Sequence, residues 1–277
     1  MRILLLTQII PFPPDAGPKV KTWNLLRYLA SAGHEVTLIS FVRPEERSFI
    51  GECEKFCAAV FPIPLHRSRM KDLFFGLRSL ISGKPFLVER DDSPKIRSLV
   101  RDFIAKDRTD AIHVDQLTMA QFAVDAVTSL RPKTRSFPKR SSPDLSNSNP
   151  TSPLPLTVFD AHNAVWTIVE RMSHNAPWFL KPIAKLEAHK IKQYEGELVR
   201  WFDHTLAVTE IDRQFLMQAA SQPLTRSASA FALRPQTHLN IHVIPIAVDT
   251  ERIRPVMRIK GSKNILTLGT LHYPPNA

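Results

Sequence analysis

Cysteine, glycine and long apolar runs are what this chain has least of. Its two cysteines, Cys53 and Cys57, exclude a disulfide framework and supply too few ligands for a cysteine metal site. Four residues apart, they read as reduced thiols packed on one helical turn. Glycine is scarce (8) beside proline (23), which limits how many loops can bring backbone close around a phosphate. No stretch approaches the roughly 18 apolar residues of a membrane-spanning helix. The apolar start before Pro11 is too short for a secretory leader. The expectation is a cytoplasmic protein, or one peripheral on the cytoplasmic face of a membrane.

Apolar residues make up 43% and charged residues 23%, the composition of a folded domain. The net charge of +11 suits a polyanionic partner: nucleic acid, an anionic membrane or phosphorylated substrates. Ile3–Leu6 is a continuous apolar run, expected of a strand covered on both faces. A loop with Gly17 follows, then Val20, Trp23, Leu26, Leu29 and Ala30 at helical spacing as far as Gly33, and a second apolar strand at Glu35–Phe41. That βαβ opening continues through strands at Ala58–Ile63, Ala111–Val114, Leu156–Phe159, Thr205–Val208 and Ile241–Ile244. Helices are predicted over Ser93–Ala105, Thr118–Leu130 and about Lys181–Arg200, with another opening at Thr209. Alternation over about 245 residues predicts an α/β fold with a doubly wound, Rossmann-like parallel sheet.

Two segments interrupt it. Residues 131–155 hold six Pro, six Ser and five basic residues against one acid, a composition that reads as a disordered insertion. Residues 221–240 read as a weaker, flexible version. Residues 1–250 therefore form the expected domain. Residues 251–277 read as a linker and, at Asn264–Leu268, the first strand of a second domain.

Four stretches carry a resemblance. They are Pro11-Phe12-Pro13-Pro14-Asp15-Ala16-Gly17, Phe159-Asp160-Ala161-His162-Asn163, Ala207-Val208-Thr209-Glu210-Ile211-Asp212-Arg213 and Val243-Ile244-Pro245-Ile246-Ala247-Val248-Asp249. Their order and spacing resemble glycosyltransferase family 4, and Leu268–Asn276 is similar to the opening of that family's second domain. The resemblance implies the N-terminal, acceptor-side domain of a GT-B enzyme. It further implies retaining transfer from a nucleotide-sugar to a glycan or lipid-linked acceptor, with no metal or other cofactor. The Gly17 loop would lie near the donor diphosphate and His162 near the reacting carbon. Asp15, Lys19, Asp115, Asn163 and Glu210 are the other expected donor or acceptor contacts. Where the family carries Asn-Gly before Val-Asp, this chain has Ile246-Ala247, and the glutamates that grip the donor belong to the second domain. On this reading the chain alone is inactive; the alternative is a non-catalytic acceptor- or lipid-binding module.

Independently of the resemblance, Gly17, Asp115, His162 and Thr209 all follow predicted strands, where ligands sit in open α/β sheets. A neutral His there can bond a sugar hydroxyl, and a charged one can stabilise a leaving phosphate; a structural histidine is the other reading. Gly17 serves a turn or a phosphate loop, and Asp115 a loop hydrogen bond or an acceptor. Thr209 with Asp212 also reads as a helix cap. Within 67–83, Met70, Leu73, Phe74, Leu77, Leu80 and Ile81 recur at helical spacing among Arg67, Arg69, Lys71, Arg78 and Lys84. This basic amphipathic helix with an exposed Phe75 suits contact with an anionic membrane, or else packs its stripe on the sheet. Nucleic acid is not an expected partner, because much of the excess charge lies in the insertion and no basic-aromatic motif appears.

Overall fold

Seven short strands align in parallel in the order β3-β2-β1-β4-β5-β6-β7. They are β1 (Arg2–Thr7), β2 (Glu35–Val42), β3 (Ala59–Pro64), β4 (Ala111–Asp115), β5 (Leu156–His162), β6 (His204–Ala207) and β7 (Ile241–Val243). The helices are α1 (Gly17–Ser31), α2 (Ile50–Glu54), α3 (Arg69–Ser82), α4 (Phe86–Arg90), α5 (Pro94–Ala105), α6 (Ala120–Leu130), α7 (Val165–His174), α8 (Lys181–Trp201) and α9 (Glu210–Ala220). The computed structural model describes residues 1–65, 67–106, 108–130, 154–223, 239–250, 253–257 and 259–264. Most of the expected 131–155 insertion, the centre of 221–240 and all but the first residue of the expected 264–268 strand lie outside the described residues.

The winding is double because each central strand has two apolar faces. Leu5 of β1 and Leu38 of β2 pack with Trp23 and Leu26 of α1 and Cys53 of α2. On the opposite face Leu4, Leu6, Ile112, Val114 and Phe159 pack with side chains of α4, α5, α6 and α8. This accounts for the continuous run in β1, whose alternate residues each meet a core. The chain turns outward from β1 in both directions, leaving a topological switch point between β1 and β4, and ligands in such sheets bind outside the carboxyl ends there.

Short helices α2, α4 and α7 were invisible to periodicity. Cys53 lies on α2, but Cys57 lies beyond its end at Glu54, so the two do not share a helix. Both are buried or half-buried, and burial pushes each thiol up to about 12, which leaves them inert. The segment 67–83 is a helix with its polarity reversed. Ser68 caps it by accepting from Lys71 N at 3.3 Å, and Gly83 closes it at φ 73°. Phe75 is half-buried on its inner side rather than exposed, together with Asp72, Gly76, Ser79 and Ser82.

Helices α8 and α9 cross at Gly196, where a Cβ would stand 2.2 Å from the Ala219 carbonyl oxygen. In an open helix, Gly→Ala gains up to about 1 kcal/mol. Here the neighbour is backbone and cannot yield, so overpacking dominates. Gly196→Ala is expected to destabilise the fold by about 1–3 kcal/mol, measured as a lowered midpoint in denaturant unfolding.

Candidate functional site

Register aligns four polar side chains across the carboxyl end of the sheet. Thr7 pairs with Ser40 on one side and Asp115 on the other, and Asp115 pairs with Asp160. All four are buried. Immediately beyond, the backbone turns through two left-handed residues, Gln116 at φ 75° and His162 at φ 57°. Non-glycine residues seldom adopt this conformation, and it persists only where the surroundings enforce it.

The enforcement comes from α7, α8 and α9. The fully buried Glu195 accepts from Val165 N at 2.8 Å and from Trp166 N at 3.0 Å, so it caps the first turn of α7. Burial pushes its carboxyl up to about 8, against the two N–H groups that favour its charge. Asp212 accepts from Ala164 N at 3.2 Å, and the His162 carbonyl accepts from Val208 N at 3.3 Å. A register shift between Asp160 and His162 turns the imidazole back towards β4.

There His162 Nε2 lies 2.5 Å from Asp115 Oδ1, and Thr22 Oγ1 donates to the same oxygen at 3.0 Å. Lys21 Nζ donates to Asp160 Oδ1 at 2.5 Å. His113 Nε2 stands 3.7 Å from Asp160 Oδ2, too far for a hydrogen bond, so its influence is electrostatic. Burial works against a charged His162, but Asp115 and then Asp160 outweigh it and raise its pKa. Burial alone would also raise Asp160; His113, His162 and Lys21 hold it below the usual carboxylate range. Two carboxylates are thus offset by an ammonium and, when His162 holds its proton, by an imidazolium, in water-poor surroundings where unpaired charge is costly. Ligand atoms of Asp115, Asp160 and His162 lie within 4.8 Å of one another, a spacing that could hold a metal ion. The Lys21 ammonium competes for that place, since it already supplies positive charge to Asp160.

Of the sequence-predicted residues, the structure brings together His162 and Asp115. Asp15 and Gly17 lie exposed at the entry to α1, and Lys19 bridges Asp15 at 3.5 Å and Glu46 at 3.3 Å. The segment after β7 returns to this helix, with Asn24 Nδ2 donating to the Ala247 carbonyl at 3.0 Å. Asn163 is exposed. Glu210 is exposed and held by Arg213, while Thr209 caps α9 by accepting from Asp212 N at 3.1 Å. Sequence reasoning missed Lys21, Thr22 and Asp160 as site residues. The available signal was Thr22 one turn before Leu26, a polar residue on the buried stripe of α1.

The chain matches no family profile and no curated protein. Among solved structures it is similar to UGT89C1 of Arabidopsis thaliana in complex with UDP, at 12% identity and TM-score 0.42, over 91% of this chain and 50% of that one. It is also similar to the glycotransferase of kitacinnamycin, at 13% identity and TM-score 0.34, over 75% and 46%. The chain spans about half the length of each. At these scores the likenesses carry no argument about activity.

Two outcomes follow from the charge balance. Lys21→Met strips Asp160 of its ammonium partner and is expected to cost about 3–5 kcal/mol, with much of the loss recovered in Lys21→Met/Asp160→Asn; denaturant unfolding of the two variants measures both. The His162 imidazole should hold its proton above the ordinary value near 6.5, and Asp115→Asn should lower its midpoint, read by NMR titration. Because the folded value is raised, the pair's stabilisation is complete below the ordinary value and is lost as pH rises through the raised one.

Proposed function

We propose that this chain is the acceptor-side half of a retaining, family 4-like glycosyltransferase of GT-B architecture that uses a nucleotide-sugar donor. The carrying observation is the buried polar row Ser40, Thr7, Asp115 and Asp160 at the switch point, with His162 drawn onto Asp115. Open α/β sheets place ligands at that edge, and one of the four resembling stretches, Phe159–Asn163, contributes Asp160 and His162 to it.

In this reading residues 1–250 are the acceptor domain and 251–277 lead into a donor domain. A protonated His162, oriented by Asp115, faces the sugar and steadies negative charge developing on the departing phosphate. Lys21 neutralises Asp160 so that the edge does not repel the donor's diphosphate. The exposed entry loop at Asp15 and Gly17, with Lys19 behind it, and the exposed Asn163 and Glu210 border the cleft. No metal takes part. The acceptor is a glycan or a lipid-linked glycan, presented on the cytoplasmic side, and the protein touches an anionic membrane through 67–83. The acceptor domain alone does not turn over, because transfer needs both substrates held in one geometry.

The test is an assay of the reading frame extended past Ala277 with labelled nucleotide-sugars and lipid-linked or glycan acceptors. Transfer with retention of configuration is expected, reduced about 100-fold or more in kcat by His162→Ala. The 277-residue chain alone should show no turnover above its His162→Ala control. Transfer indifferent to His162 would overturn the assignment.

A further inference from the structure

At the far end of the sheet, burial alternates with the pleat. Thr205 and Ala207 of β6 are buried, whereas His204 and Leu206 are half-buried, and in β7 His242 is exposed between the half-buried Ile241 and Val243. The inner set packs under α9, where Ala207 shares the core with Leu216 and Ala219 and Ile241 lies against it. Register places His242 beside Leu206, one pleat period from His204. Both histidines therefore emerge on the same outer face.

There the two rings meet. His204 Nδ1 and His242 Nε2 stand 3.1 Å apart, with ring centroids 5.2 Å apart and planes inclined at 45°. As neutral imidazoles they share one hydrogen bond, one ring donating its N–H and the other accepting. The same separation matches the bite of a single ion. With metal–nitrogen bonds of about 2.05 Å, nitrogens 3.1 Å apart subtend an angle of about 100° at the metal. That lies between the roughly 90° of a square ion and the roughly 109° of a tetrahedral one.

The donor set chooses the ion. Two imidazoles suit zinc, copper or nickel, whereas magnesium and calcium take oxygen ligands. Among the described residues no third His, Cys, Asp or Glu side chain joins the pair. The adjacent acid, Asp203, is turned to Thr157. The remaining coordination positions fall to water, and the exposure of His242 leaves them open.

We propose that His204 and His242 hold one divalent transition-metal ion, of the zinc and copper class, that fastens β7 to β6. Strand β7 is three residues long and ends the sheet. Its backbone bonds to β6 include Thr205 N to Asn240 O and Ile244 N to Ala207 O, each at 2.8 Å. The chain leaving it passes the entry to α1, where Ile246 Cδ1 lies 3.5 Å from the place of a Cβ on Gly17 and Arg27 pairs with Asp249 at 3.5 Å. An ion between the strands thus fixes the root of a segment that reaches the carboxyl edge. It engages none of the residues given a role in sugar transfer, so it stands or falls apart from the glycosyltransferase reading.

The experiment dialyses the purified chain against zinc chloride and counts bound ions by atomic absorption, beside His204→Asn and His242→Asn. The parent is expected to hold one ion more than either variant, and excess magnesium should not displace it. Affinity for that ion should fall roughly tenfold or more without either ring, since losing even an outer partner of a ligand costs that much. Zinc should also raise the thermal midpoint of the parent more than that of either variant. The unaltered chain supplies a readout that needs no substitution: the His204 and His242 imidazole NMR signals must shift together over one zinc titration. Equal zinc content in all three chains overturns the proposal, as do displacement by magnesium and imidazole signals that ignore zinc or move separately. One ion per two chains with a doubled mass would also overturn it, placing the metal between copies rather than within one.

Discussion

Burying two carboxylates at the centre of a sheet is tolerable only if positive charge is buried with them. Asp115 and Asp160 sit in adjacent strands at the same level, and each needs a partner that water cannot supply. Lys21 comes from α1 and His162 from the last position of β5, so the balance joins elements distant in sequence. The desolvation cost of such groups rivals their mutual attraction, which makes the cluster a poor source of net stability. It is, however, a strong constraint on position. Helix α1 cannot slide along the sheet without stranding Asp160.

The same constraint explains the unusual backbone at His162. A left-handed residue at the end of a strand costs free energy that something else must offset. Glu195 and Asp212 satisfy three successive N–H groups from Ala164 to Trp166. With the chain pinned on both sides of the turn, the imidazole is delivered to Asp115 rather than to solvent. The crossing of α8 over α9 at Gly196 brings Glu195, its immediate neighbour, under the start of α7. Packing and electrostatics therefore share one joint.

Helix α3 shows the opposite economy. Its apolar residues contribute little to the core, and it is held by Lys190 on Ser79, by Arg78 on Glu89 and Asp92, and by one half-buried phenylalanine. Periodicity in the sequence located the stripe correctly but carried no information about which way it faces. That direction depends on Lys190, more than a hundred residues away.

The sequence alone determined the α/β class and the parallel sheet, because continuous apolar strands alternating with periodic helices have few other ways to bury both faces. It also marked the carboxyl-edge positions Asp115 and His162, since both follow strands. It could not supply Lys21, Thr22 and Asp160 as parts of the same site. A buried polar residue on a helix looks like any surface residue until the opposing strand is in place. Nor could it supply the outward turn of α3, the end of α2 before Cys57, or the short helix α7 that holds His162. Local pattern is read over a few turns of chain. Strand register, helix orientation and charge pairing are settled by contacts between segments tens to more than a hundred residues apart, and only the tertiary structure brings those together.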